Sequence, residues 1–205
     1  MKKTQGKTTI TIGVFGLHRY AGVTHTVMLL AEYLSCWRKK RAAVLELSGH
    51  PALEVYERLW YGAVGAQPII RRKRCTYWKE AEGKALWKQE EFRNDYCILD
   101  LGCDLERNAE QLMACRKKII LGSSGILHKQ DWKKFAAQPR LQKQLLLEGR
   151  DTWTLLLNHG RTGKRVEVPE CSENGRNHIC AFELGAEELF PLSRKAADLF
   201  GKIIK

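Results

Sequence analysis

The residues with the clearest chemical signature lie between Ile10 and Val27, in the run ITIGVFGLHRYAGVTHTV. An apolar β-like stretch leads into a glycine-containing turn, and a threonine-rich helix start follows. Backbone N–H groups at such a turn, and at the helix start behind it, form an anion site suited to phosphate. A loop built to hold phosphates also carries a lysine just ahead of a Ser or Thr, and glycines where its backbone must approach the ligand. Here the lysine position is His25, the residue before it is Thr24, and the hydroxyl position is Thr26. Lysine brings a fixed positive charge. Imidazole is shorter and, with a reference pKa of about 6.5, mostly neutral at pH 7. A β-branched residue at position 24 resists the positive φ that glycine allows. The spacing therefore predicts a phosphate-loop scaffold with weakened charge handling.

Alternating apolar strands and amphipathic helices must position this loop. Thr8–Phe15 reads as a central strand. Val27, Leu30, Ala31 and Leu34 then recur at helical spacing from Thr26 toward the basic cluster at 38–41. Ala42–Leu47 is a second strand and 52–61 a short helix. A hairpin is expected within Pro68–Tyr77, followed by a polar helix-like piece around Lys84–Glu91. Tyr96–Leu101 is a third strand closed by Gly102, and a helix over 105–115 carries Leu105, Ala109 and Leu112 on one face. Lys118–Gly122, a helix around 129–137, Trp153–Leu157, Ile179–Glu183 and a helix from about 192 to 204 complete the pattern. This alternation predicts one α/β domain over 1–205, with an irregular insertion at about 62–94. Its fold is a three-layer, doubly wound, mostly parallel sheet with helices on both faces. Ligands of such sheets sit beyond the carboxyl ends of the strands, so the Gly16–Thr26 loop and Asp100–Gly102 should meet.

On these residues the chain resembles the MinD/ParA-like (SIMIBI-type) branch of P-loop ATPases. The match is clearest over 8–50, weaker over 95–125 and faint around 153–158. The family's loop reads K-G-G-V-G-K-T-T, and the matching residues are Tyr20-Ala21-Gly22-Val23-Thr24-His25-Thr26-Val27. The resemblance implies ATP or ADP with Mg2+ as cofactor. It implies a cradle of Gly22, Val23, Thr24, His25 and Thr26, to which Arg19 could add charge. It implies Asp100, in ILDLG, as the catalytic carboxylate near magnesium, with the Thr26 hydroxyl as a further metal ligand. Asn158, ending LLLN, matches a position where many relatives place an asparagine near the base. Glu46 and Ser48 stand where the family has an aspartate after the second strand. Tyr20 cannot act as the lysine that, in this family, reaches across a dimer to the partner's nucleotide.

Two functional readings follow. One is a degenerate, TadZ- or CpaE-like member that positions, scaffolds or regulates through protein partners, with weak or lost ATP hydrolysis. The other is an active ATPase with a deviant loop that dimerises on ATP and binds DNA or membrane. The net charge of +12 favours acidic partners, either non-specific DNA or an anionic membrane. Basic clusters stand at 38–41, 71–74, 116–118 and 133–134. No helix-turn-helix pattern supports sequence-specific DNA recognition.

No apolar run approaches the about 20 residues needed to cross a bilayer. The basic N-terminus leads into a β pattern rather than a secretory signal, so a cytoplasmic location is expected, with peripheral membrane contact as an extension. Seven cysteines without C-x-x-C spacing are expected to be buried free thiols rather than zinc ligands. In the last helix Leu192, Ala196, Leu199, Phe200, Ile203 and Ile204 share a face opposite Arg194, Asp198, Lys202 and Lys205. MinD-like proteins dock such a helix on membrane. The plainer expectation is that it packs against the sheet.

Overall fold

A computed structural model describes residues 8–79, 94–123, 129–148, 152–158, 160, 162–166, 172–173, 176–177, 179–185 and 191–205. In chain order the elements are β1 (Ile10–Gly16), α1 (Val23–Glu32), a π-helical turn (Tyr33–Trp37), β2 (Ala42–Glu46), α2 (Ala52–Tyr61), β3 (Ile69–Arg72) and β4 (Cys75–Trp78). There follow β5 (Tyr96–Asp100), α3 (Leu105–Ala114), β6 (Lys117–Ser123), α4 (Lys129–Ala136), α5 (Pro139–Leu147) and β7 (Trp153–Asn158). The chain continues with β8 (Arg165–Val166), β9 (Ser172–Glu173), β10 (Arg176–Asn177), β11 (Cys180–Leu184) and α6 (Arg194–Ile203).

Nine strands form one sheet in the order β3-β4-β2-β5-β1-β6-β7-β11-β8. Neighbours from β4 to β11 pair in parallel. The edge strands β3 and β8 run antiparallel. The central strands are apolar on both sides because both faces are covered. Ile12, Val14, Val44 and Ile98 pack with α1, α2 and α6. Phe15, Leu45, Leu99 and Ile120 pack with α3, α4 and α5. Each cluster closes one interface of the expected three-layer α/β fold.

Several boundaries differ from the sequence reading for physical reasons. Helix α1 begins at Val23 rather than Thr26, because Gly22 caps it at φ 84° and accepts the first helical bond from the Thr26 N–H at 2.9 Å. Its last turn widens to a π-turn, in which the Arg38 N–H donates to the Tyr33 carbonyl at 3.0 Å. The expected hairpin forms, as β3–β4, and it extends the sheet through β4 on β2. That part of the segment expected to be an insertion is thus a sheet edge. The helix-like piece expected around Lys84–Glu91, and Cys171, lie outside the described residues. Among the described cysteines Cys75, Cys97 and Cys115 are buried free thiols, while Cys103 is exposed. Burial pushes the Cys75 and Cys115 thiols up to about 12. Lys118, counted in a basic cluster, is buried instead and bridges to Glu148 at 2.9 Å, beneath the Trp153 ring.

No helix among the described residues is long and apolar enough to cross a membrane. The apolar face of α6 is occupied: Ala196, Leu199, Phe200 and Ile203 are buried in the core, and Phe200 lies 5.9 Å from the Tyr33 ring. Truncating Phe200 to Ala should therefore cost about 3–5 kcal/mol of unfolding free energy, read by urea denaturation. A loss below about 1 kcal/mol would be inconsistent with this packing.

Candidate functional site

Strand β1 sits between β5 and β6, and the chain leaves it toward β2 on one side and later builds β6 and β7 on the other. The crevice of a doubly wound sheet opens at such a reversal. The register sets what lines it. Val14 stands opposite Asp100, and Glu46 stands opposite the same aspartate from β2. The two loops then meet backbone to backbone, with the Gly16 N–H donating to the Gly102 carbonyl at 2.8 Å.

A cleft of about 310 Å³ results, lined by residues 18–25 together with His50, Gly102 and Cys103. It lies at the small end of ligand-site volumes. Arg19, Gly22, Val23, Thr24 and His25, all singled out in the sequence, line it together. Thr26 lies behind them, fully buried, and Asn158 reaches the loop from the end of β7. Its Nδ2 donates to the Ala21 carbonyl, and a Cβ added at Gly22 would stand 2.9 Å from that nitrogen. The amide of Asn158 is thus spent on the loop backbone. Glu46 is likewise engaged: its Oε1 accepts the Leu53 N–H at 2.8 Å and caps α2. Ser48 bonds locally around His50.

The backbone corrects one argument from sequence. Positive φ falls at Tyr20, 65°, and Gly22, 84°, and not at Thr24. Thr24 occupies the first turn of α1, where a β-branched residue is accommodated, and its side chain hydrogen-bonds the Asp100 carboxyl. The helix start that faces the cleft is Val23–His25, not Thr26. Tyr20, which holds the left-handed conformation without glycine's freedom, is 90% exposed, with the Arg19 guanidinium 5.6 Å from its ring centre.

Asp100 is 1% exposed. Burial pushes its carboxyl above the ordinary 3.8, while Thr24, the Gly102 N–H (3.2 Å from Oδ1) and nearby His50 pull it the other way. Its other oxygen, Oδ2, and the Thr26 hydroxyl have no hydrogen-bond partner among the described residues. A buried hydroxyl and a buried carboxylate oxygen left open in this way fit the oxygen chemistry of a hard divalent cation.

The sequence reading missed His18, His50 and Asn108. His18 joins the loop to the end of β6 through Ser123 at 3.0 Å. Asn108 is buried, and its amide donates to the carbonyls of Leu47 at 3.2 Å and Leu101 at 2.7 Å, pinning together the loops after β2 and β5. The available signal was a polar residue three places after Leu105, on the apolar side of α3.

No family model and no curated protein matches the sequence. Solved structures match its fold along nearly the whole chain. A plasmid partition protein from Borrelia burgdorferi, bound to AMPPNP, aligns with TM-score 0.60 and 13% identity, covering 97% of both chains. A nucleotide-binding protein from Archaeoglobus fulgidus, in complex with ADP, aligns with TM-score 0.53 and 14% identity over 96% of this chain and 88% of its own. Apo McdA from Cyanthece aligns with TM-score 0.50 and 12% identity over 95% and 80%. This likeness defines the class as a P-loop NTPase-like α/β fold. Within that class, the architecture is one that these solved neighbours share, plasmid partition proteins among them.

Two outcomes follow from the geometry. Gly22→Ala, strained by its φ and by Asn158, should lose about 1–2 kcal/mol in chemical denaturation. Asp100 binds its proton more tightly folded than unfolded, so it costs stability progressively as pH rises above 3.8. Asp100→Asn should therefore gain in melting temperature relative to wild type at pH 7, and this advantage should shrink toward pH 4. An equal difference at both pH values would contradict it.

Proposed function

We propose that the protein is a degenerate MinD/ParA-like P-loop protein that positions, scaffolds or regulates through partner contacts, with weak or no ATP hydrolysis. The observation that carries this reading is His25 in the first turn of α1, on the cleft wall, where the family's loop has its lysine. In this reading the N–H groups of Val23, Thr24 and His25 cradle the phosphates of ATP or ADP behind the Gly22 cap. Arg19 supplies the charge that an imidazole holds poorly at neutral pH. The Thr26 hydroxyl and Asp100 Oδ2, both open and buried, would hold Mg2+, and no group of three His, Cys, Asp or Glu gathers as a metal site among the described residues. The cation would then depend on oxygens of the bound nucleotide. Magnesium supplies charge neutralisation at the phosphates. Asn158, tied to Ala21, serves here as a brace for the loop, although the family position lies near the base. The solved neighbours with AMPPNP or ADP bound support nucleotide as the ligand class, and the partition proteins among them support positioning as the role. A protein partner, a homodimer and contact with non-specific DNA or an anionic membrane suit the +12 charge.

The second reading, an active ATPase with a deviant loop, draws on Arg19 lining the cleft beside His25. Calorimetric titration with ATP and Mg2+, paired with a phosphate-release assay, separates the two. The wild type should bind weakly and release no phosphate above buffer. His25→Lys should tighten binding at least about tenfold, a gain of about 1.4 kcal/mol. Micromolar binding lost in His25→Ala, together with sustained phosphate release, would establish the ATPase instead.

A further inference from the structure

Three of the six large apolar side chains that stand exposed among the described residues belong to α2: Val55, Leu59 and Tyr61. Val55 and Leu59, 60% and 73% exposed, lie one turn apart, with exposed Arg58 beside them at the i+3 position from Val55. The inner face of the same helix is satisfied, because Leu53 is buried and Tyr56 and Trp60 pack on the core. The outer face is therefore an unpartnered apolar ridge with a positive charge on it.

The opposite face of the molecule carries its complement. A groove of about 860 Å³ runs between α3 and the start of α5. Leu105, Ala109, Met113 and Leu141 give it an apolar lining, and exposed Glu106 and Glu110, one turn apart, contribute its acidic rim. On a chain of net charge +12, a groove bordered by two glutamates selects an apolar ridge that carries arginine, and α2 is such a ridge. Methionine in the lining adapts to an incoming side chain.

We infer that α2 of one copy seats in the α3–α5 groove of the next, with Val55 and Leu59 in the groove and Arg58 against Glu106 and Glu110. Helix-in-groove docking uses anchors at this i, i+4 spacing. The two surfaces belong to opposite sides of the sheet: α2 packs on the cluster containing Val44 and Ile98, and α3 on the cluster containing Leu45 and Leu99. A ridge and a groove so placed cannot both be satisfied in one two-fold pair. The contact is head-to-tail and propagates into a chain of copies.

The test is sedimentation velocity of the full chain without nucleotide, which keeps the result independent of the cleft. The wild type should grow past the dimer as concentration rises. Leu59→Glu, which spoils the ridge, and Met113→Glu, which spoils the groove, should each weaken self-association at least about tenfold. Mixed in equal amounts, they should form a two-chain species that grows no further, because only one good ridge and one good groove remain. A wild type that stays monomeric throughout overturns the inference. So does either variant associating like wild type, or a mixture that stays monomeric while both variants keep native circular dichroism. If either glutamate unfolds the chain, Leu59→Ser and Met113→Ser give the same readout.

Discussion

Parallel pairing of β5 with β1 sets Asp100, the last residue of β5, opposite Val14, two residues before β1 ends at Gly16. The chain after Asp100 therefore runs beside the end of β1, where the Leu101 N–H donates to the Val14 carbonyl and the Gly16 N–H to that of Gly102, so the glycine loop and the Asp100–Gly102 turn share one mouth. The pairing of β2 on the other side of β5 delivers Glu46 to the same level. Asn108 then fastens the loops after β2 and β5 through two carbonyls. Every wall of the cleft descends from this register. A slip of one residue would turn Asp100 to the other face of the sheet.

Within that frame the loop is held by short polar contacts. Asn158 binds the Ala21 carbonyl, Thr24 meets Asp100, and His18 bridges to Ser123. Short polar side chains hold a backbone shape well, but they supply little charge to a ligand with several negative charges. Cations near the mouth include exposed Arg19 in the loop and Arg107, whose guanidinium lies against Gly49. The shape of the loop is thus set by contacts to three different strand ends, those of β5, β6 and β7.

Much of the fold was legible because its signals are local. Apolar runs such as YCILD and TLLL are too short for helices and too apolar for half-exposed strands, so they marked a sheet buried on both faces. The 52–61 helix and the Pro68–Tyr77 hairpin followed from periodicity and turn chemistry. The second helix of the 129–147 region, α5, which Pro139 opens, did not, since its polar residues obscure the 3.6 period. The start of α1 was misplaced because Gly22 looks like loop in sequence, yet caps the helix through a left-handed φ.

The sequence by itself determined the class of architecture, the order of its main elements, and the residue types, Tyr, Thr and His, that stand at positions 20, 24 and 25. Those are properties of residue type and spacing along the chain. Only the tertiary structure decided that Thr24 is spent on Asp100, that Asn158 braces Ala21, that Lys118 is buried, and that the apolar side of α6 lies in the core. Each of these depends on which distant segments the sheet order sets side by side. Pairing between strands far apart in the chain is not encoded in any local pattern.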